Sequence, residues 1–378
     1  MSELTHTGSE GGEPQVGDGF VPAAGTVLSG VAMASMAVPV RRGSTDPLVL
    51  AALALAAVSL VVFLARRHGG LGRVYGAPVA VGATLSVLAL SGYVLNQGVN
   101  AAVGIPLLER SVPLVFVAFL AAGGALAMAL ADHYSLSTAG VFARSQLTVL
   151  LTIVAAFGFL AASVWIVLFA LPVVLVYGGF TPLQLVAIEQ IGMALGALTV
   201  AVAFLQLTER DWSFIDLRVP TLRDLGWTVG GTVAIFGALF AISVLMTTTG
   251  VESSSHGVTD RVQESPEIMY VLIPAAILLI GPFEELLYRN VVQKSLYERF
   301  SRGGAIVVAS VVFAAVHYFA YSVGGAAPGA ILASLMVVFG LSLVLGVLYE
   351  RTDNLVVPAL VHGIYDAILF ANLYLAYA

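Results

Sequence analysis

The stretch IMYVLIPAAILLIGPFEELLYRN, residues 268–290, opens with sixteen uncharged residues and then sets two glutamates and an arginine in its last turns. A run of this length reaches across the hydrocarbon layer as a helix, which takes roughly 20 apolar residues. Ionisable side chains cost roughly 2.5–3.5 kcal/mol at the centre of a membrane helix, so residues of this kind point to function. The segment therefore reads as a spanning helix that carries chemistry.

The rest of the chain supports that reading. Of 378 residues, 59% are hydrophobic and 10% charged, whereas soluble domains are near a quarter charged. An ordinary soluble enzyme is excluded. Apolar runs recur at about 48–65, 77–95, 112–131, 146–177, 183–207, 226–249, 268–289, 304–323, 328–349 and 355–376, with a further run at 22–40 rich in Ala, Gly, Ser and Val. The fold class is all-α, a polytopic integral membrane bundle of about 10–11 transmembrane helices. Residues 1–20 lack apolar content and any basic residue and read as a disordered acidic tail. Residues 21–207 are N-terminal membrane helices of unassigned role, and the polar segment at about 208–225 marks the start of a C-terminal module, 208–378.

Charge sets the orientation and removes some partners. With 268–289 ending in the cytoplasm, that side receives Arg66, Arg67, Arg73, Arg144, Arg210, Arg218, Arg223, Arg289, Lys294, Arg299, Arg302 and Arg351, twelve of the sixteen basic residues. Arg41, Arg42, Arg110 and Arg261 fall on the other side. The site is thus expected in the cell membrane, opening toward the cytoplasm. A net charge of -6 with a single lysine offers no basic patch, so no nucleic acid is expected. The absence of cysteine removes disulfides, thiolate nucleophiles and Cys-ligated metals.

Six ionisable residues fall inside apolar runs: Glu189, Glu284, Glu285, His317, His362 and Asp366, five of them after residue 267. Glu285 and Arg289 are four apart on one helical face and can pair, either as part of a site or as an ion pair at the membrane interface. Glu284 points about 100° away and stays unpaired. Desolvation makes such a carboxylate hold a proton more tightly, which suits a general base. His317 follows Phe313 by four residues; alone it reads equally as a core histidine. His362 and Asp366 are again one turn apart, so the carboxylate can set the imidazole's tautomer, both can face one metal ion, or the pair can join two helices. Helical rise puts Glu284 about 15 Å above Lys294 and His362 about 13 Å above Asp353. His317 comes out about 22 Å from Arg302, which matches if the first turns after Arg302 are irregular.

The ordered set EExxxR at 284–289, FxxxH at 313–317 and HxxxD at 362–366 resembles the CPBP family of intramembrane proteases, the group that includes type II CAAX prenyl endopeptidases and bacteriocin-processing or immunity proteins. The resemblance covers about 210–378, most strongly 268–376. It implies that Glu284 with His317 activates a water molecule, that Glu285 and Arg289 shape the site, and that His362 and Asp366 bind a metal or support the oxyanion. It also implies a peptide or protein substrate in the bilayer, with a prenylated C-terminal peptide as the nearest case. The family is described both as metalloproteases and as glutamate-dependent proteases. Asp366 stands where prenyl endopeptidases usually have Asn, and an ionised Asp cannot donate a hydrogen bond to an oxyanion. Glu284, His317, His362 and Asp366 would be the ligands if the site holds Zn2+ with an open position for water.

Two other classes compete. Buried Glu, His and Asp also make proton relays in secondary transporters, and Glu189 favours that reading, but no inverted repeat is visible. A scaffold or immunity protein of the same fold is the third class. No Gly-x-Ser-Gly, no His-Glu-x-x-His and no second membrane Asp is present to support other intramembrane protease types.

Overall fold

The structure, a computed structural model, describes residues 19–105 and 110–377. The acidic tail expected over residues 1–20 lies outside the described residues except for its last two positions. The chain divides into two compact units, one of residues up to 94 with 99–142, the other of 95–98 with 143–378. The composition boundary near 208 thus falls inside the second unit.

In the first unit, α1 (Phe20–Arg41), α2 (Pro47–Arg67), α3 (Arg73–Asn96) and α4 (Leu114–His133) pack through small side chains. Ala32, Ala56, Ala121 and Ala122 form a buried cluster. Lipid tails are as apolar as leucine, so helices in a bilayer associate by close packing and interhelical hydrogen bonds. Ser29 and Ser59 supply one such bond, with their hydroxyls 2.7 Å apart. Arg66 and Asp132 pair at 2.7 Å. A short antiparallel hairpin, β1 (Ala102–Ile105) with β2 (Arg110–Pro113), was not foreseen, because four-residue strands leave no trace in a hydropathy window. Val103 opposite Val112 is the β-branched pair at its centre.

The second unit contains α5 (Thr138–Tyr177), α6 (Pro182–Leu207), α7 (Leu222–Thr249), α8 (Gly257–Glu264), α9 (Pro266–Leu296), α10 (Arg302–Val316), α11 (Tyr318–Tyr321), α12 (Pro328–Thr352) and α13 (Val356–Tyr377). Ten helices among the described residues are long and apolar enough to cross a membrane. The chain is a multi-pass helical membrane protein. The Ala- and Ser-rich run near the N-terminus is one of the ten, whereas the run expected to span 304–323 is not. Its helix stops at Val316, after 15 residues.

The reason for that stop lies in His317 itself. Its ring Nδ1 donates to the carbonyl of Phe313 at 2.7 Å, taking the acceptor that an α-helix reserves for the backbone N–H of residue 317. That N–H turns instead to Ala314, at 3.1 Å. The other end of α10 is regular from Arg302, with Ser301 Oγ accepting from Gly304 N at 3.2 Å, so the irregular first turns expected there are not found.

Helix α9 departs from α-geometry where it matters. Residues 276–280 and 286–293 are wound as π-helix, a feature that concentrates at functional sites. Pro274 and Pro282 lack backbone N–H groups, so the ladder cannot run unbroken through the first segment. α9 lies against α13 through two glycines. A Cβ on Gly281 would collide with the carbonyl oxygen of Ala359, and one on Gly363 would lie 2.7 Å from the carbonyl oxygen of Ala276. This backbone approach sets His362 beside the glutamates. On its other side α9 shares a core with α5, α6 and α10, in which Leu287, Tyr288, Val291 and Phe313 are buried.

The lower ends of these helices are tied together by the segment before α7. Asp216 accepts from Lys294 Nζ at 2.8 Å and from Tyr349 OH at 2.6 Å, and Asn290 accepts from the backbone N–H of Asp216 at 2.8 Å. Arg218 donates to the carbonyls of Thr352 and Asp353, each at 2.7 Å. Arg210 pairs with Glu298. Arg210, Arg218, Lys294, Arg302 and Arg351 thereby collect at one end of this unit.

Candidate active site

The site is assembled from three helices. α9 brings Glu284, Glu285 and Arg289, the end of α10 brings Phe313 and His317, and α13 brings His362 and Asp366. Glu284, Glu285, Arg289, His317, His362 and Asp366 all fall in this region, and Phe313 packs against three of them. Its ring lies 4.4 Å from the ring of His317 and 6.0 Å from that of His362, centroid to centroid, with Tyr288 packed edge-on at 4.8 Å. The guanidinium carbon of Arg289 sits 5.1 Å from the same ring centre.

Glu285 and Arg289 form a fully buried ion pair, Nε to Oε2 at 2.7 Å, both side chains 0% exposed. Protein surrounds the pair on every side. The second oxygen of Glu285 lies 3.0 Å from His362 Nδ1, and Arg289 Nη2 donates to Ser342 Oγ at 3.0 Å. Glu285 is therefore fully engaged, which is what an orienting carboxylate requires.

Glu284 differs. Its Oε2 is buried without a protein hydrogen-bond partner, and His362 Nε2 lies 4.0 Å from it, too long for a hydrogen bond. The side chain keeps 19% exposure, as does that of Asp366. A cavity of about 50 Å³ reaches it, lined by Phe159, Gln190, Met193, Leu279 and Phe283 among others. That volume holds a few water molecules.

The two histidines are set up in opposite senses. His317 donates from Nδ1 to Phe313, leaving the lone pair of Nε2 free to accept. Both nitrogens of His362 face carboxylates, Nδ1 toward Glu285 and Nε2 toward Asp366 Oδ2 at 3.4 Å, an arrangement satisfied by a ring that donates from both sides. The site thus offers acceptors at Glu284 and His317 and a donor at His362.

The donor set does not make a metal cage. Among the described residues no three His, Asp or Glu side chains gather in a group able to hold a metal ion. His362 Nδ1 is turned to Glu285, and its Nε2 is shared between Asp366 and the more distant Glu284.

Two features were not singled out beforehand. His256, in the loop before α8, caps that helix by accepting from Val258 N at 3.1 Å and packs edge-on against Tyr321 at 5.0 Å. Burial holds its pKa below the ordinary histidine value, His317 lowers it further and Asp366 opposes them. A loop position and an odd spacing hid it. Gln293, fully buried one turn beyond Arg289, was passed over because it carries no charge; the repeat of polar residues at 285, 289, 293 and 297 was the available signal. Glu189 pairs with Arg261 at 2.7 Å and so joins α6 to α8.

Comparison with known proteins agrees with the three motifs. A search of the curated proteins and of the solved structures found no match to the chain. Residues 266–368 match the family described as type II CAAX prenyl endopeptidase Rce1-like, a span that holds Glu284, Glu285, Arg289, Phe313, His317, His362 and Asp366. Over residues 266–368, within its second unit, the chain is thus similar to the Rce1-like type II CAAX prenyl endopeptidases, in keeping with the CPBP group that its motifs resemble.

Proposed function

We propose that the chain is an intramembrane endopeptidase in which Glu284 is the general base. The observation that carries this is the contrast between two adjacent glutamates, one locked to Arg289 and His362, the other part-exposed, with a buried Oε2 that has no protein partner, and reached by a cavity. A water molecule between Glu284 and His317 would give one proton to the carboxylate while its oxygen attacks the scissile carbonyl carbon. The carbonyl oxygen then gains negative charge. In this reading the Nε2–H of His362, only 3.4 Å from Asp366 Oδ2, turns from that carboxylate to the developing charge, while Glu285 at Nδ1 holds the ring in place. Collapse breaks the C–N bond, and the proton held by Glu284 passes to the leaving nitrogen.

This route uses only side chains of the protein. Zinc at Glu284, His317, His362 and Asp366 is the alternative, and it is separable by experiment. Purified protein incubated with membrane peptides, each made with and without a prenylated C-terminal cysteine, is expected to yield products that persist after chelator treatment. Loss of activity on chelation, regained with Zn2+ and matched by a stoichiometric metal content, would replace the glutamate route with a metal one.

The similarity of residues 266–368 to type II CAAX prenyl endopeptidases supports a substrate with a lipid-like portion, and a prenylated peptide fits that description. Faster turnover of the prenylated member of each pair is the expected result. In this reading the basic end of the second unit faces the cytoplasm, the side that the positive-inside tendency favours. Since the chain has no cysteine, single replacements report cleanly: Arg299→Cys is expected to react with a membrane-impermeant thiol reagent only after the cells are opened, and Ser253→Cys in intact cells. The reverse pattern would invert the orientation.

A further inference from the structure

Glu285, Arg289, Gln293 and Tyr297 recur every four residues along one side of α9, and the first three are 0% exposed. Hydrogen bonds join them in two halves. The upper half runs from His362 through Glu285 to Arg289. The lower half runs from Gln293 Nε2 to Tyr297 OH at 2.7 Å, with Arg302 lying over the Tyr297 ring at 4.1 Å. Between the halves stand two buried atoms without a protein partner, Arg289 Nη1 and Gln293 Oε1. The amide cannot be turned round to remove the second of these. Its Nε2 also donates to the carbonyl of Gly346 at 2.9 Å, an acceptor only, so Oε1 must point elsewhere.

A third atom lies at the same level. Ile306, Ser310 and Phe313 follow one another at i, i+4 and i+7, on one face of α10. Phe313 is at the height of Arg289, whose guanidinium covers it. Ile306 is at the height of Gln293, since a Cβ on Gly346 would lie 2.9 Å from both Ile306 Cγ2 and Gln293 Oε1. Ser310 falls between them, and its Oγ is buried, 0% exposed, and likewise without a partner. On α12, Ser342 bonds Arg289 and Gly346 bonds Gln293, marking the same two levels from a third helix. The absence of a side chain on Gly346 keeps the space beside Gln293 open.

The three atoms are one donor, one acceptor and one hydroxyl that is both. A cation is repelled by the guanidinium, and an anion finds the amide oxygen facing it. The ligand that satisfies all three is water, which typically makes about three hydrogen bonds when buried. We propose that Arg289 Nη1, Gln293 Oε1 and Ser310 Oγ hold an ordered water molecule that joins the two halves into one chain and fixes the Arg289 guanidinium, and through it Glu285 and His362. Gln293 and Ser310 are then positioning residues of the proposed protease site.

The decisive observation is a density map of the full-length wild-type protein in detergent or nanodiscs, at a resolution that shows ordered solvent. A solvent peak within about 3.2 Å of all three atoms is expected. A map in which Arg289 Nη1 and Gln293 Oε1 bond to protein groups and no peak is present would overturn the proposal. This reading needs no substrate, so it stands or falls independently of the protease assignment. A pair of variants tests the positioning role. Ser310→Ala removes the hydroxyl and leaves room for solvent, whereas Ser310→Val fills the space. Val is expected to lower kcat by about tenfold or more at unchanged KM, and Ala, which removes one of the three partners of the solvent but keeps its space, to lower kcat by a distinctly smaller factor. Equal effects of the two substitutions would contradict a solvent-held guanidinium.

Discussion

Arg289→Met is expected to destabilise the protein by about 3–5 kcal/mol, the range for removing one partner of a buried ion pair. Glu285 is 0% exposed and would keep only the 3.0 Å contact with His362. The substituted side chain would still pack on Phe313, so lost volume is a minor part of the effect. The informative comparison is the double variant Glu285→Gln with Arg289→Met, which has no stranded charge and is expected to recover much of the loss. Unfolding in detergent, followed by denaturant or heat, reads both. A lone Arg289→Met that unfolds with wild-type stability would show that Glu285 is not held as the geometry indicates.

The larger effect on activity belongs to Glu284. Glu284→Gln keeps the shape of the side chain and removes the base, and general-base contributions are about 10²–10⁴-fold in rate. Stability should be unchanged or slightly raised, because the buried Oε2 has no protein hydrogen bond to lose: His362 Nε2 is 4.0 Å away. The two adjacent glutamates thus predict opposite phenotypes. Position 284 carries turnover with little effect on folding, and position 285 carries both. An inactive but stable Glu284→Gln protein beside a destabilised Arg289→Met protein is the signature of this division.

Much of the site could be read from spacing, because helical periodicity turns sequence offsets into geometry. Glu285 with Arg289 and His362 with Asp366 were placed correctly by the four-residue rule, and both are in contact. The offset from Phe313 to His317 was read correctly but not its consequence, since a ring that captures a carbonyl and ends the helix leaves no hydropathy signature. The π-wound segments of α9 were equally invisible, as no residue pattern marks an i→i+5 ladder. Cross-helix contacts set the remaining limit. That His362 bonds Glu285 more closely than it approaches Glu284 depends on the Gly281 and Gly363 contact, which spacing along either helix cannot report. His256 reaches the site from a loop, where offsets carry no geometry at all.

The central claim is that a carboxylate at position 284 activates water for peptide hydrolysis inside the membrane. Purified wild-type and Glu284→Gln proteins, shown to unfold alike, can be given the same membrane peptide in 18O-labelled water and the products weighed by mass spectrometry. The account predicts one new carboxyl terminus carrying the label from the wild type and none from the variant. Undiminished release of the labelled product by folded Glu284→Gln protein would contradict it.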